Sequence, residues 1–558
     1  MKQYDNCIVG SGAGGAPVAY ELARAGYSVL VLEKGPYLTE KDFTKDEIAV
    51  SRRSIYTPRL KDEQHVIETY RGDGTVKKVT SEESGWNFWN GSMVGGSSNL
   101  MSGYFHRMKP VDFRLRSAFG SISGANVEDW PITYDDLEPY YTRVEQVVGV
   151  SGRVVEHPFQ ERRSTEDFPY PPTWEQPISG WFDEACRALG YHSIPTPRAI
   201  LPFDALGRSG CSYSNFCGSY GCATGAKGHA RTALLEKAKA TGNCNILQHA
   251  FVYRLEADKT RVRAAHYYDE GGREHVVRAG TFVVAAQAIE SVRLLFNSRN
   301  AFHPEGLGNA HGQLGKNLIF SAGGTGQGRF EFSRLDDKQR FDLMTRGAFV
   351  NRSLQDWYVY RRYGKPFKGG TIDFLYEHAN PTGRALRELY DEDGRLMRGR
   401  ALQQKLVHAF RQSRIFTFEV FNDWLPTDKC FAGIDEKVRD KWGVPVGKIR
   451  LYGHPHDIEV GRYLAQKGEN VLRQMGAVEI GSDISAAPPP NLVAGGCRFG
   501  TDPKRSVLDP YCRMHGMENL YVTDAAFMPT GGSVPYTWTI YANAFRVADA
   551  LGKRLKKI

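Results

Sequence analysis

At 558 residues the chain is well past the length at which one hydrophobic core stops growing, so two or more domains are expected. Hydrophobic residues at 41% and charged residues at 24% describe an ordinary globular protein and exclude a disordered or fibrous one. The net charge of +9, from 72 basic and 63 acidic residues, is spread too thinly to indicate nucleic acid. The densest basic run, Lys553, Arg554, Lys556 and Lys557, reads as a solvated helix end. No run of 18 apolar residues occurs, so no transmembrane helix is expected. The opening MKQYDNCIVGSGAGG leaves no room for a signal peptide, which predicts a cytoplasmic protein, or one exported only with a signal-bearing partner subunit. Nine cysteines, an odd number, argue against a disulfide framework.

In chain order, residues 4–9 (YDNCIV) predict a buried strand, 15–26 a helix closed by Gly26, and 27–32 (YSVLVL) a second strand. Pro-rich punctuation falls at 167–177 and 486–490. Between about 326 and 487 the pattern alternates, as in FTFEVF at 416–421 and KIRLYGHP at 448–455, which predicts strands of an antiparallel sheet facing a cleft. The end returns to the first style, with a strand at 519–525 (NLYVTDA) and a long helix at 537–555.

Gly10-Ser-Gly12-Ala-Gly-Gly15 fits G-x-G-x-x-G between a strand and a helix. Gly10 permits the tight turn, Gly12 removes a Cβ that would block a pyrophosphate, and Gly15 lets helix and strand pack closely. The helix N-terminus then offers amides and positive dipole to the phosphates. Glu33 ends the second strand, where a carboxylate accepts hydrogen bonds from ribose hydroxyls and disfavours a 2′-phosphate. The plainer alternative is a glycine turn in an unliganded α/β protein.

Further blocks resemble the glucose–methanol–choline (GMC) oxidoreductases over nearly the whole chain. Gly91-Ser-Met-Val-Gly95-Gly96-Ser97-Ser98 is similar to the family's second glycine loop, and Phe282–Ser291 to its strand-then-helix segment. Gly500-Thr-Asp-Pro, Ser506–Pro510, His515–Asp524 and Ala542–Asp549 are similar to its C-terminal signature. The resemblance implies an α/β fold: a Rossmann-type FAD domain assembled from residues 1–325 and the C-terminal return 488–558, with an inserted antiparallel-sheet substrate domain at 326–487. It implies FAD held by Gly10, Gly12, Gly15, Glu33, Gly95, Gly96, Ser97, Asn99, Val252, Asp524, Ala525 and Thr537. The binding is expected to be non-covalent, because Asn99 and Leu100 stand where relatives with a histidyl–flavin bond carry His. It also implies hydride transfer from an alcohol, often a sugar or polyol, with a general base beside the flavin.

That base is missing from its usual place. The family's His position holds Leu492, and the Asn or His partner position holds Pro535. Tyr536, next to the partner position, is the first replacement candidate, followed by His454 and His456 on the inserted region; the latter two also read as surface or structural imidazoles. Asn491 can hydrogen-bond but is no useful proton acceptor, and His515 reads as structural.

Cys211, Cys217 and Cys222 lie within 12 residues, interleaved with glycine. The segment resembles the loop of membrane-linked relatives whose [3Fe–4S] cluster passes electrons from flavin to a cytochrome partner, one cysteine per iron. Other relatives carry a similar loop without metal, and a zinc site completed by His229 is a third reading. The chain is therefore expected to be an FAD-dependent dehydrogenase acting on a sugar, glycoside or polyol. A small subunit, cytochrome or quinone would accept electrons if the cluster exists, and O2 if not. The rivals are an FAD enzyme of non-standard chemistry without the His base, and a non-catalytic electron-relay subunit.

Overall fold

The computed structural model describes residues 3–48, 61–70, 74–86, 88, 90–218, 220–321, 323–344, 347–484 and 492–556. The N-terminal unit forms as its local pattern predicts: β1 (Gln3–Val9), α1 (Gly15–Arg24) and β2 (Val29–Leu32). Gly26 follows the α1 cap at φ +89°, a conformation that favours glycine and ends the helix. β1 pairs in parallel with β2, from Asn6↔Val29 to Val9↔Leu32, and with the strand Glu274–Val284. Cys244–Leu247 extends this sheet beyond β2, and Leu520–Val522 pairs in parallel with residues 282–284 on the far side. The first half of Glu274–Val284 pairs instead with the antiparallel Val262–Tyr268, which carries Phe251–Ala257. All four residues of β2 are buried, as expected when both faces of a parallel sheet are covered. The C-terminal helix Thr537–Leu555 packs on α1, with Tyr20 edge-on to Phe545 at 6.3 Å.

A second, six-stranded antiparallel sheet runs in the order Val478–Asp483, Gly324–Glu331, Ser413–Asn422, Gly370–Tyr376, Phe349–Leu354 and Ser193–Pro195. Alternation gives it two distinct faces. Phe416, Phe418 and Val420 pack with Val460, Leu464 and Leu472 of the helix Pro455–Gln474. Gly468 lets that helix approach, since a Cβ there would lie 2.9 Å from the Phe418 ring. Glu419 and Phe421, alternating with those residues, face the other way.

Two expectations change. KIRLYGHP does not join this sheet: Pro445–Leu451 pairs antiparallel with Phe431–Arg439 and in parallel with Val66–Tyr70, in a separate four-stranded sheet. That sheet packs against the helix Ala288–Asn297, where Arg293 Nε donates to the Pro445 carbonyl at 2.8 Å. The edge strand Ser193–Pro195 comes from outside residues 326–487. Period-two alternation identifies a strand but is blind to its partner. The Pro-rich stretch 486–490 and Asn491 lie outside the described residues.

Candidate functional site

A single cavity of about 600 Å³ runs from the first glycine loop to the polar face of the six-stranded sheet. Gly10, Gly12, Glu33, Gly96, Ser97, Val252, Asp524, Ala525 and Thr537 line it. At its other end stand Thr325, His378, Asn380, Glu419, Phe421, Tyr104, Leu492 and Pro535.

The dinucleotide half is shaped by backbone. A Cβ on Gly12 would meet nothing nearer than the Gly96 Cα at 3.9 Å, so this spot opens into the cavity. A Cβ on Gly14 would strike the Thr523 carbonyl at 2.6 Å, and one on Gly15 the Gly10 carbonyl at 2.1 Å. Gly15 thus serves helix–strand packing and does not line the cavity. Ser11 joins the two glycine loops: its amide and hydroxyl donate to Glu33 Oε2, and its hydroxyl accepts from the Gly95 amide at 2.9 Å. Glu33 Oε1 accepts from the Gly35 amide at 2.9 Å and keeps a further lone pair for a ligand hydroxyl, whereas both lone pairs of Oε2 are taken by Ser11. Burial, partly offset by these hydrogen bonds, holds the Glu33 carboxyl above its ordinary range. Gly95 and Asn99 brace the second loop from behind; the buried Asn99 amide donates to the Val94 and Gly96 carbonyls.

Asp524 ends the strand Leu520–Val522 region and caps the turn Ala525–Phe527, its Oδ1 accepting from the Ala526 amide at 2.9 Å while Ser291 donates to Oδ2. Burial pushes its carboxyl up to about 6. Open space at Gly12, a buried acceptor at Glu33 and a second loop closing over the first are what a dinucleotide such as FAD needs.

The three candidate bases do not reach the cavity. Tyr536 is 1% exposed and points inward, donating to the Phe320 carbonyl at 2.7 Å, while Pro535 and Thr537 on either side line the cavity. Burial pushes its phenol well above the ordinary value, the reverse of what a base requires. His454 caps the helix Pro455–Gln474: Nδ1 accepts from the His456 amide at 3.2 Å, so Nε2 carries the proton and faces the Ser123 carbonyl at 3.0 Å. His456 stacks on Phe367, and burial lowers its basicity. Leu492 and Pro535, where a His and its partner were expected, do face the cavity, and Leu492 holds φ +49°. His378, Glu419 and Tyr104 were not singled out from sequence. No motif marks them, because they reach the site from a loop and two separate strands or turns.

Cys211, Cys217 and Cys222 are free thiols of intermediate exposure. Burial, then the neighbouring Cys217, pushes Cys211 up to about 11. For Cys222 burial is outweighed by Lys227 and Thr224, which hold the thiol below its ordinary value. The three sulfurs and His229 do not gather within 4.8 Å of one another, which contradicts a zinc ion shared by all four. His229 is fully buried and kept neutral, first by burial and then by nearby Arg231, Lys227 and Arg208. Cys217 packs with Leu492 against the Tyr104–Phe421 cluster, so the loop borders the sheet end of the cavity. Among the described residues, His157, His192 and Asp356 alone bring three ligand-type atoms within 4.8 Å. There His157 Nδ1 accepts from the Phe159 amide at 3.1 Å, His157 Nε2 stands 4.0 Å from Asp356 Oδ2, and His192 Nδ1 lies 2.6 Å from Asp356 Oδ1.

Family models described as GMC oxidoreductase match residues 171–321 and 426–544, and an NAD(P)-binding Rossmann-like domain matches 8–51. The chain is 30% identical over 558 residues to 6'''-hydroxyparomomycin C oxidase of Streptomyces lividus, covering 99% of this chain and 92% of that protein. It is 28% identical to the fructose dehydrogenase large subunit of Gluconobacter japonicus, over 99% and 98% of the two chains. A formate oxidase variant from Aspergillus oryzae shares the fold at TM-score 0.65 and 14% identity, covering 100% of this chain and 99% of its own. Among the described residues no helix is long and apolar enough to cross a membrane. A cavity that opens on a dinucleotide loop, family matches in the middle and C-terminal parts, and end-to-end similarity to a named oxidase lead to one conclusion: this chain belongs to the GMC oxidoreductases and is an FAD-dependent enzyme.

Proposed function

We propose that the protein oxidises a CH–OH group of a sugar, glycoside or polyol, binding the alcohol at the sheet end of the cavity. The observation that carries this reading is the continuity of one cavity from the phosphate-type loop at Gly10–Gly15 to the face bearing Thr325, Glu419 and Phe421. FAD, when bound, supplies the acceptor for the hydride. Gly10, Gly12, Gly96, Ser97 and Ala525 would hold it by close backbone approach, and Glu33 by accepting from ribose hydroxyls. Apolar Phe421, Leu492 and Pro535 exclude water from the reacting end, while Thr325, Asn380 and Glu419 hydrogen-bond a hydroxylated substrate. The likeness to an oxidase named for a hydroxylated paromomycin supports this substrate class. Sugars, glycosides and polyols added anaerobically to the holoenzyme should bleach the flavin band for at least one of them. A flavin that no alcohol reduces would refute the reading and favour an electron-relay role. Acid precipitation should leave all the flavin colour in the supernatant, since neither Asn99 nor Leu100 can form a bond to it.

For the onward path of electrons we propose a [3Fe–4S] cluster on Cys211, Cys217 and Cys222. A cluster holds its thiolates farther apart than a single ion does, because each ligates a different iron. Cys217 and Leu492 both pack against the cluster of Tyr104, Phe349 and Phe421, so the loop borders the sheet end of the cavity. The likeness to a protein named as a fructose dehydrogenase large subunit supports a partner subunit as the acceptor. Iron analysis after anaerobic purification should give one iron per loop cysteine. Iron at background would leave the loop structural and O2 as the acceptor.

A further inference from the structure

An alcohol loses its hydroxyl proton as the hydride leaves carbon, and a positioned base must take it. The two cavity positions where a proton-handling pair was expected hold Leu492 and Pro535, and neither has an acceptor. The titratable side chains lining the cavity fall into two groups. Glu33, Lys34, Glu290 and Asp524 belong to the dinucleotide half; Tyr104, His378 and Glu419 belong to the sheet end. Burial, then Glu419 and Asp373, pushes the Tyr104 phenol well above its ordinary value, so it stays protonated. Of the other two, an imidazole is intrinsically a stronger base than a carboxylate.

The setting of His378 suits that task. It lies two residues beyond the strand Gly370–Tyr376, on the cavity wall. Its ring stands edge-on to Phe349, with centroids 6.4 Å apart and planes at 77°. The Cε1–Nε2 edge passes over the backbone of Gly218, where a Cβ would come within 2.7 Å of Cε1 and 3.4 Å of Nε2. The same imagined Cβ would lie 3.0 Å from Ser102 Oγ, itself on the cavity wall. The absent side chain at Gly218, which holds φ +58°, is thus what admits the imidazole. Leu492 and Phe421 belong to the same packed cluster as Phe349, so the ring and the vacated position share one end of the cavity.

We propose that His378 is the general base of this enzyme, taking over the work that residues 492 and 535 cannot do; the proposal rests on alcohol oxidation being the reaction. The substrate O–H bond breaks with its proton passing to the imidazole. The C–H bond breaks with its electron pair passing to the bound flavin, and a C=O bond forms. Glu419, on the same wall, accepts from a neighbouring substrate hydroxyl and orients the alcohol.

The test uses the holoenzyme and the alcohol that bleaches its flavin fastest in the anaerobic screen. His378→Gln should keep flavin content and thermal midpoint, slow flavin reduction by about 10² to 10⁴, and lose the acid limb of the pH profile. His378→Ala should regain part of the rate with added imidazole. Independently of turnover, histidine-selective NMR of the oxidised holoenzyme should show one imidazole absent from His378→Gln, whose titration midpoint matches that acid limb. Reduction at the parent rate in His378→Gln overturns the proposal. So does a slower variant that keeps the acid limb, or an NMR midpoint that does not match it. If Glu419→Gln alone loses the limb, the carboxylate is the base. Failure of every alcohol to reduce the parent flavin would instead sink the alcohol-oxidase reading itself.

Discussion

A Cβ at Gly12 would project into open cavity, whereas one at Gly15 would collide with the carbonyl of Gly10 in the same loop. The two glycines of one motif therefore predict different losses. Gly12→Val should leave the thermal midpoint of the apoprotein near the parent's and abolish FAD retention, read by flavin absorbance after gel filtration. Gly15→Ala should cost about 1–3 kcal/mol of stability through overpacking, seen in denaturant melts of the apoprotein. Asp524 offers a second test at this scale. Burial raises its carboxyl to about 6 in the fold, above its unfolded value of about 4. The stability contributed by its bound proton is fully present below about pH 4 and is lost as pH rises through about 6. A shift of about two units corresponds to about 3 kcal/mol. Relative to Asp524→Asn, the wild-type apoprotein should lose roughly that amount between pH 4 and 7. Parallel stability profiles for the two proteins would show that the carboxyl titrates normally.

The strand Ser413–Asn422 carries structure on one face and chemistry on the other. Phe418 is fully buried against Gly326 and Gly468, and its removal leaves a cavity the helix cannot collapse into. Phe418→Ala should cost about 3–5 kcal/mol in a denaturant melt. Glu419→Gln, one residue on, should cost less stability than Phe418→Ala while weakening substrate binding, seen as a higher KM in steady-state turnover. Equal destabilisation by both changes would mean that Glu419 belongs to the core. The same contrast operates at the start of the helix Thr537–Leu555. Pro535 and Thr537 face the cavity, and Tyr536 turns away to the Phe320 carbonyl.

Across the whole molecule, the cavity is assembled from residues 9 to 540, drawn from both large sheets and from the loops between them. A ligand filling it touches segments from the N-terminal, middle and C-terminal parts of the chain, so its binding energy adds to the stability of the folded state. Free FAD at 100 times its Kd should stabilise the protein by about 2.7 kcal/mol, with a thermal midpoint that climbs with FAD concentration. Flavin release, followed by fluorescence, should coincide with loss of far-ultraviolet circular dichroism. Flavin loss well before unfolding would mean that the cavity opens locally.

Much of this architecture was legible in the sequence because its causes are local. Strand, glycine turn and helix at residues 3–24 follow from an apolar run, positive-φ glycine and helical periodicity within two dozen residues. The helix at 537–555 follows from periodicity alone. The Gly10–Gly15 loop and Glu33 announced a dinucleotide because phosphate binding needs bare backbone in a fixed order, while the second glycine loop and Asp524 were implied by the resemblance to the GMC oxidoreductases. What the sequence left open depends on contacts between distant residues. The strand at 445–451 found its partner at 66–70, although alternation suggested the larger sheet. Tyr536 sat beside a suggestive position and His454 and His456 on the inserted region, yet they point to the Phe320 carbonyl, a helix cap and an aromatic stack. His378 reaches the vacated end of the site only because Gly218, 160 positions earlier, leaves room for its ring. Backbone requirements are written in adjacent residues, whereas the direction a side chain faces is settled by whatever the rest of the chain packs around it.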